Sequence, residues 1–406
     1  MRSWIAAVGN FSVQYNLGVA GVVHQIMKSH DDAVGPQTTP DYPEPDWLKY
    51  SLLGVVFVGN VIGMVSFGRY VDQVGPRKAM LTTLGFVLAG SVGSALLPFG
   101  SPSMIYFIIC CCRFILGIGV GGIYPVGAVT ASETPSTDAK ELANRIGKAF
   151  IWQMPGAITP YIVASMLLRM EAYPGITAFQ FRFLFFLGAV PAAAVFLLTY
   201  LQPVEAAPAP SPVSRLPGSI GNNSSASDAQ RSGVLFGTAS AWFLFDVVFY
   251  GTVIFLPTIT EKIFANDQAT LLEMTNFSLC LICMMIPGAV LTVVALKYVP
   301  AKMVCVIGFW GMGFTYLIVS ILDPLLSGST GFVMFLLFGT NLMAVNFGPN
   351  VCTYILPMLY FPRDVRGKYH GISAALGKAG AAVGTFMLKK NVQFRMKNHK
   401  IRINIQ

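Results

Sequence analysis

The chain is 406 residues long, 54% hydrophobic and only 11% charged, with a mean hydropathy of +0.63. Soluble domains carry about 25% charged residues, so this composition excludes an ordinary soluble domain and points to repeated crossings of a bilayer. The formal charge of +9 implies no nucleic-acid partner, because Lys389, Lys390, Arg395, Lys397, Lys400 and Arg402 crowd the last 18 residues and no basic face remains without them.

Eleven apolar stretches of crossing length are predicted, near 4–27, 47–68, 80–99, 104–131, 147–168, 183–201, 233–256, 275–296, 303–322, 331–356 and 369–388. The first runs past signal-peptide length and has no processing site, so it is expected to stay as an uncleaved anchor. The loop after it is acidic (Asp31, Asp32, Asp41, Glu44, Asp46). Cations gather after the second span (Arg69, Arg77, Lys78), the eighth (Lys297, Lys302) and the tenth (Arg363, Arg366, Lys368). Cytosolic loops carry the excess of Lys and Arg, which puts the N-terminus in the cytosol.

Between the second and third spans lies Gly68-Arg-Tyr-Val-Asp72-Gln-Val-Gly75-Pro-Arg77-Lys78. Gly68 permits close helix packing, and Asp72 can pair with an Arg or cap a neighbouring helix, so the segment reads as a conformational latch. An ordinary turn with charges on the cytosolic side is the plain alternative. The segment Lys297-Tyr-Val-Pro-Ala-Lys302 is a degenerate counterpart.

In the fourth span, Cys110, Cys111 and Cys112 point in successive helical directions, which suits apolar packing rather than a metal or disulfide framework. Arg113 follows them and precedes Gly117, Gly119, Gly121 and Gly122. A buried Arg is costly, and its readings are a charge that helps couple ion movement or a structural group bonded to carbonyls. The segment 202–232, rich in Pro, Ser, Ala and Asn, reads as a flexible cytosolic linker. It divides an N-terminal helical half (1–201) from a C-terminal one (233–388) of related layout. Met284-Met285-Ile-Pro287 suggests a kinked core helix.

No twelfth span follows, and an odd number of spans places the basic tail, 389–406, outside. A foreign or frameshifted end after Leu388 is the expectation, with a surface-lying tail as its alternative.

Two ionisable residues lie inside stretches too apolar to hold them casually: Asp246 in the seventh span and Lys378 in the eleventh. Such groups normally face a partner or a watery cavity. Trp242, Asp246 and Tyr250, spaced by four, form one helix face. Lys378 supplies positive charge for an oxyanion, while Tyr, Trp, Asn and Gln offer donors without charge. A purely structural Asp246–Lys378 ion pair is the alternative. His370 opens the eleventh span as a cap or interface residue, or as a proton shuttle. No nucleophile–base pair, metal spacing or nucleotide loop is visible, so neither an enzyme nor a cofactor is expected.

The latch segment resembles the Gly-x-x-x-Asp-x-x-Gly-Arg-Lys pattern of the major facilitator superfamily. The segments Gly121-Gly-Ile-Tyr-Pro125, Phe150-Ile-Trp-Gln153, Gly237 to Gly251, Gly348-Pro-Asn350 and His370 to Gly380, in this order, resemble the phosphate:proton symporter family of fungi and plants, over about residues 4 to 387. That resemblance implies a plasma-membrane carrier, all-α with two six-helix halves. Its phosphate pocket would be formed by Tyr124, Gln153, Trp242, Asp246, Tyr250, Asn350 and Lys378. Asp246 beside a bound anion is repelled unless protonated, which would link proton to phosphate; Arg113 would assist.

The chain departs from the family where acids are usual, at Val13, Asn16, Ile123 and Leu359. The expected proton path is thereby altered. A carrier of organic phosphate esters or another anion, and a phosphate sensor that no longer cycles, are the competing readings.

Overall fold

The computed structural model describes all residues except 1, 29–41, 46, 49–50, 134–137, 172–174, 202–227, 254–269, 327–330 and 404–406. Fifteen helices occur among the described residues: α1 (Arg2–Lys28), α2 (Ser51–Val74), α3 (Pro76–Leu96), α4 (Pro102–Ser132), α5 (Ala139–Phe150), α6 (Gln153–Leu167), α7 (Ile176–Leu187), α8 (Ala189–Leu201), α9 (Asp228–Val253), α10 (Leu271–Cys283), α11 (Met285–Ala295), α12 (Ala301–Leu326), α13 (Gly331–Asn346), α14 (Pro349–Tyr360) and α15 (Arg366–Ile403). Four rods are broken near their middle, into α5/α6, α7/α8, α10/α11 and α13/α14. The fifteen helices therefore form eleven rods, which follow the eleven predicted spans.

Eight of these rods are long and apolar enough to cross a bilayer. The three that miss that mark are α1, α5/α6 and α15. They carry interior amides and charges (Asn10, Gln14, Asn16, Asn144, Gln153, His370, Lys378), which lower hydropathy where the bundle needs polar groups. The predicted linker lies outside the described residues over 202–227. Residues 228–232 are corrected to the first turn of α9. The backbone of α15 continues unbroken through 389–403.

The breaks have local causes. Pro287 has no N–H to continue the ladder and its ring crowds the preceding turn, so the rod parts at Met284, giving the kink the sequence suggests. At Gly348 the backbone turns through φ +91°, with Pro349 opening α14. The Gly348 N–H donates to the Thr292 hydroxyl at 2.7 Å. A Cβ there would lie 2.5 Å from the Val304 carbonyl. Gly348→Ala therefore combines left-handed strain with backbone overlap and is expected to cost at least about 2 kcal/mol. Thermal melts in detergent check this, with Gly21→Ala, which meets nothing within 4 Å, as a near-silent control.

Glycines also set the packing. A Cβ on Gly59 would sit 2.5 Å from the Phe114 carbonyl, and one on Gly117 the same distance from that of Val56. Backbones of α2 and α4 therefore touch, the usual way helices associate without a hydrophobic driving force. Cys110 and Cys112 are buried in α4 and Cys111 is exposed, as their successive directions require.

Candidate functional site

The chemistry begins where α9 meets α15. A Cβ on Gly377 would lie 2.5 Å from Trp242 Cδ1, and side chains on Gly380 and Gly384 would run into the carbonyls of Phe243 and Val247. This close approach sets Lys378 opposite Asp246. The ammonium donates to Asp246 Oδ2 at 3.0 Å and to the Tyr250 hydroxyl at 2.8 Å. It also lies 4.2 Å from the Tyr250 ring centroid and 5.3 Å from that of Tyr124. Asp246 is 1% exposed and Lys378 2%. Deleting either partner of such a pair leaves an uncompensated buried charge, the costly case.

Broken rods deliver the amides. Gln153 opens α6, and Asn350 stands one residue into α14, just past the Gly348 turn. Gln153 Nε2 donates to Asn10 Oδ1 at 3.4 Å, and Asn350 Nδ2 to Asn346 Oδ1 at 2.6 Å. All seven pocket residues expected from the sequence line one cavity, together with Gln14 and the apolar Phe150, Phe245 and Phe249. The cavity holds about 10 Å³, room for roughly one water. An oxyanion fits only if the walls part and Lys378 leaves Asp246.

One wall of the cavity is an aromatic cluster that ties early helices to late ones. Trp242 lies 6.3 Å from Tyr124 and 5.4 Å from His370, and Phe150 stacks on Tyr354 at 4.3 Å between centroids. The Tyr354 hydroxyl donates to the Tyr124 carbonyl at 3.2 Å. His370 is fully buried with Nε2 3.1 Å from the Tyr354 carbonyl, an interface position rather than a cap.

Arg113 is not part of this cluster. It is fully buried in α4, with Nε donating to Ser94 Oγ at 3.1 Å, Nη1 to the Asn16 carbonyl at 3.3 Å, and the guanidinium 4.0 Å from the Phe185 centroid. The Asn16 amide beside it is already engaged by Ser91, Ser12 and Gly188. Val13 and Ile123 pack in the apolar core. Arg113 thus sits among neutral groups, bonded to a hydroxyl and a carbonyl as in its structural reading.

The latch segment divides. Gly68 meets α15 so closely that a Cβ would lie 2.7 Å from the Gly367 carbonyl. Asp72 accepts from the Gly367 N–H at 2.9 Å and the Lys368 N–H at 2.7 Å, capping α15 from another rod. Gly75, at φ +81°, forms the turn into α3. Arg77 donates to the carbonyls of Thr199 and Tyr200 at the end of α8, 3.2 and 2.8 Å away, and Lys78 is exposed. Three further bonds close the same end: Lys140 to the Tyr298 carbonyl (2.8 Å), Asn144 to that of Val293 (2.6 Å) and Arg363 to that of Glu133 (2.9 Å).

Sequence reasoning missed Gln14, Asn10 and Asn346. The available signal was polar spacing in an apolar helix: Asn10 and Gln14 stand one turn apart in α1 and share a face.

The family described as "Sugar (and other) transporter" matches residues 3–204. Inorganic phosphate transporter PT2 of Toxoplasma gondii (strain ATCC 50861 / VEG) is 31% identical, covering 93% of this chain and 65% of its own length. Inorganic phosphate transporter 1-6 of Oryza sativa subsp. japonica is 28% identical over 94% of this chain and 80% of its own. The chain thus spans about two thirds and four fifths of these two relatives. Among solved structures, the major facilitator proton:xylose symporter XylE superposes with a TM-score of 0.71 at 19% identity, over 97% of this chain and 89% of that one.

Proposed function

We propose that the chain is a major facilitator transporter, similar as it is to relatives named inorganic phosphate transporters, and that it carries inorganic phosphate across a membrane by proton-coupled alternating access. One observation carries the reading: a lysine and an aspartate buried as a pair in a cavity otherwise lined by neutral donors. The fixed charges of that site cancel, so it is ready to exchange an internal partner for an external anion.

On loading, phosphate takes Lys378 from Asp246, and Tyr124, Gln153, Trp242, Tyr250 and Asn350 turn donors toward its oxygens. Two like charges about 4 Å apart at an effective dielectric near 20 repel by about 4 kcal/mol. A proton on Asp246 removes that repulsion, so proton and phosphate enter together and leave together. Rocking of residues 1–201 against 233–388, joined by the linker, would alternate the access. The end bearing Arg69, Arg77, Lys78, Lys297, Lys302, Arg363 and Arg366 is then cytosolic and holds the N-terminus, and the host membrane is the plasma membrane.

Labelled phosphate uptake into proteoliposomes, with and without an inward proton gradient, tests the reading. The expected result is gradient-stimulated uptake that glycerophosphodiesters fail to compete. Effective competition by the diesters would assign an organic phosphate carrier. Phosphate-dependent thermal stabilisation without flux would assign a sensor, the reading favoured by the neutral side chains at Val13, Asn16 and Ile123.

A further inference from the structure

Gln14 is the one cavity-lining amide not tied to another side chain by a described hydrogen bond. Gln153 is tied to Asn10 and Asn350 to Asn346, whereas Gln14 Oε1 is buried with no partner. A buried polar atom left unsatisfied costs roughly 1–3 kcal/mol, so such atoms in a cavity mark where a ligand group belongs. The remaining polar lining is heavily weighted to donors: the Lys378 ammonium, the Tyr124 and Tyr250 hydroxyls, the Trp242 indole and the amide N–H groups. The charged acceptor, the Asp246 carboxylate, is taken by Lys378 in this state.

From this arrangement we infer that Gln14 is a further substrate-contacting residue that selects a protonated oxyanion. The inference rests on the phosphate reading above. Its Oε1 accepts from a P–OH group while its Nε2 donates to an unprotonated oxygen of the same ion. Both hydrogen phosphate and dihydrogen phosphate carry such an O–H. Sulfate near neutral pH carries none and would leave Oε1 unsatisfied against a second acceptor. The selection is sharpest in the loaded state, because a protonated Asp246 then serves as a donor and Gln14 remains as the neutral acceptor.

The test compares wild type with Gln14→Met, which keeps the length of the side chain and removes both hydrogen-bonding ends, and with Gln14→Ala. Phosphate binding to the purified wild type is measured first, followed by competition with arsenate and with sulfate. If the wild type binds no phosphate, the functional reading fails and this inference fails with it. If it does bind, both variants are expected to weaken phosphate about tenfold and to lower the phosphate-to-sulfate preference by a similar factor. The phosphate-to-arsenate ratio stays constant, because arsenate carries the same O–H. A merely structural Gln14 would weaken all three anions alike, and that outcome, or unchanged sulfate discrimination, overturns the assignment while leaving the phosphate reading intact. Should one variant not fold, the other alone reads the sulfate ratio.

Discussion

Replacing Lys378 with alanine is expected to abolish the proposed phosphate uptake and to lower stability by about 3–5 kcal/mol. The stability loss follows from burial. Asp246 is 1% exposed, and the ammonium that it pairs with is gone. The double variant Asp246→Asn, Lys378→Met separates the two effects: it removes both charges, so stability returns toward wild type while uptake stays at background. Thermal melting in detergent reads the first quantity and proteoliposome uptake the second. Retained uptake in Lys378→Ala would remove the lysine from substrate binding. A double variant no more stable than the single would show that the loss comes from packing rather than from an unpaired charge.

Asp72→Ala is expected to open the end of the bundle at which α2 meets α15. The carboxylate supplies two charge-assisted bonds to the first free N–H groups of α15, at 2.9 and 2.7 Å. Bonds of this type contribute about 1.5–3 kcal/mol each to a folded contact. Losing both shifts a two-state gate by about two to four decades in population. Spin labels at the exposed Gln73 and Asp364 are expected to show a longer mean separation in the variant, with slower net uptake because the return to this state is disfavoured. Gly371→Val acts on the same contact sterically, since a side chain there runs into the Met64 carbonyl, and should lengthen the same distance. An unchanged distance distribution in both variants would rule out this contact as the gate.

The eleven rods were legible, eight of them long and apolar enough to cross, because bilayer thickness imposes a length and an apolar composition on such segments. The kink at Pro287 was legible for a similar reason, since a missing N–H breaks a helix wherever it falls. The candidate site was legible through Asp246 and Lys378, because a charge in an apolar run requires an explanation. The helical spacing of Trp242 and Tyr250 then placed them on the same face.

Other features were settled only by neighbours distant in sequence. The sequence left Arg113 between ion coupling and a structural role, and α1, α3 and α7 surround it with Asn16, Ser94 and Phe185. Arg77 and Lys78 share a motif with Asp72, but the turn at Gly75 sends one to the end of α8 and leaves the other exposed. Gln14 carries no charge to draw attention, and only the folded cavity shows that its carbonyl oxygen lacks a partner. The sequence alone thus located the apolar rods and the charges buried within them, because insertion in lipid penalises each residue separately. The tertiary structure decided which groups meet, because hydrogen-bond partners and cavity walls are set by the packing of rods far apart in the chain.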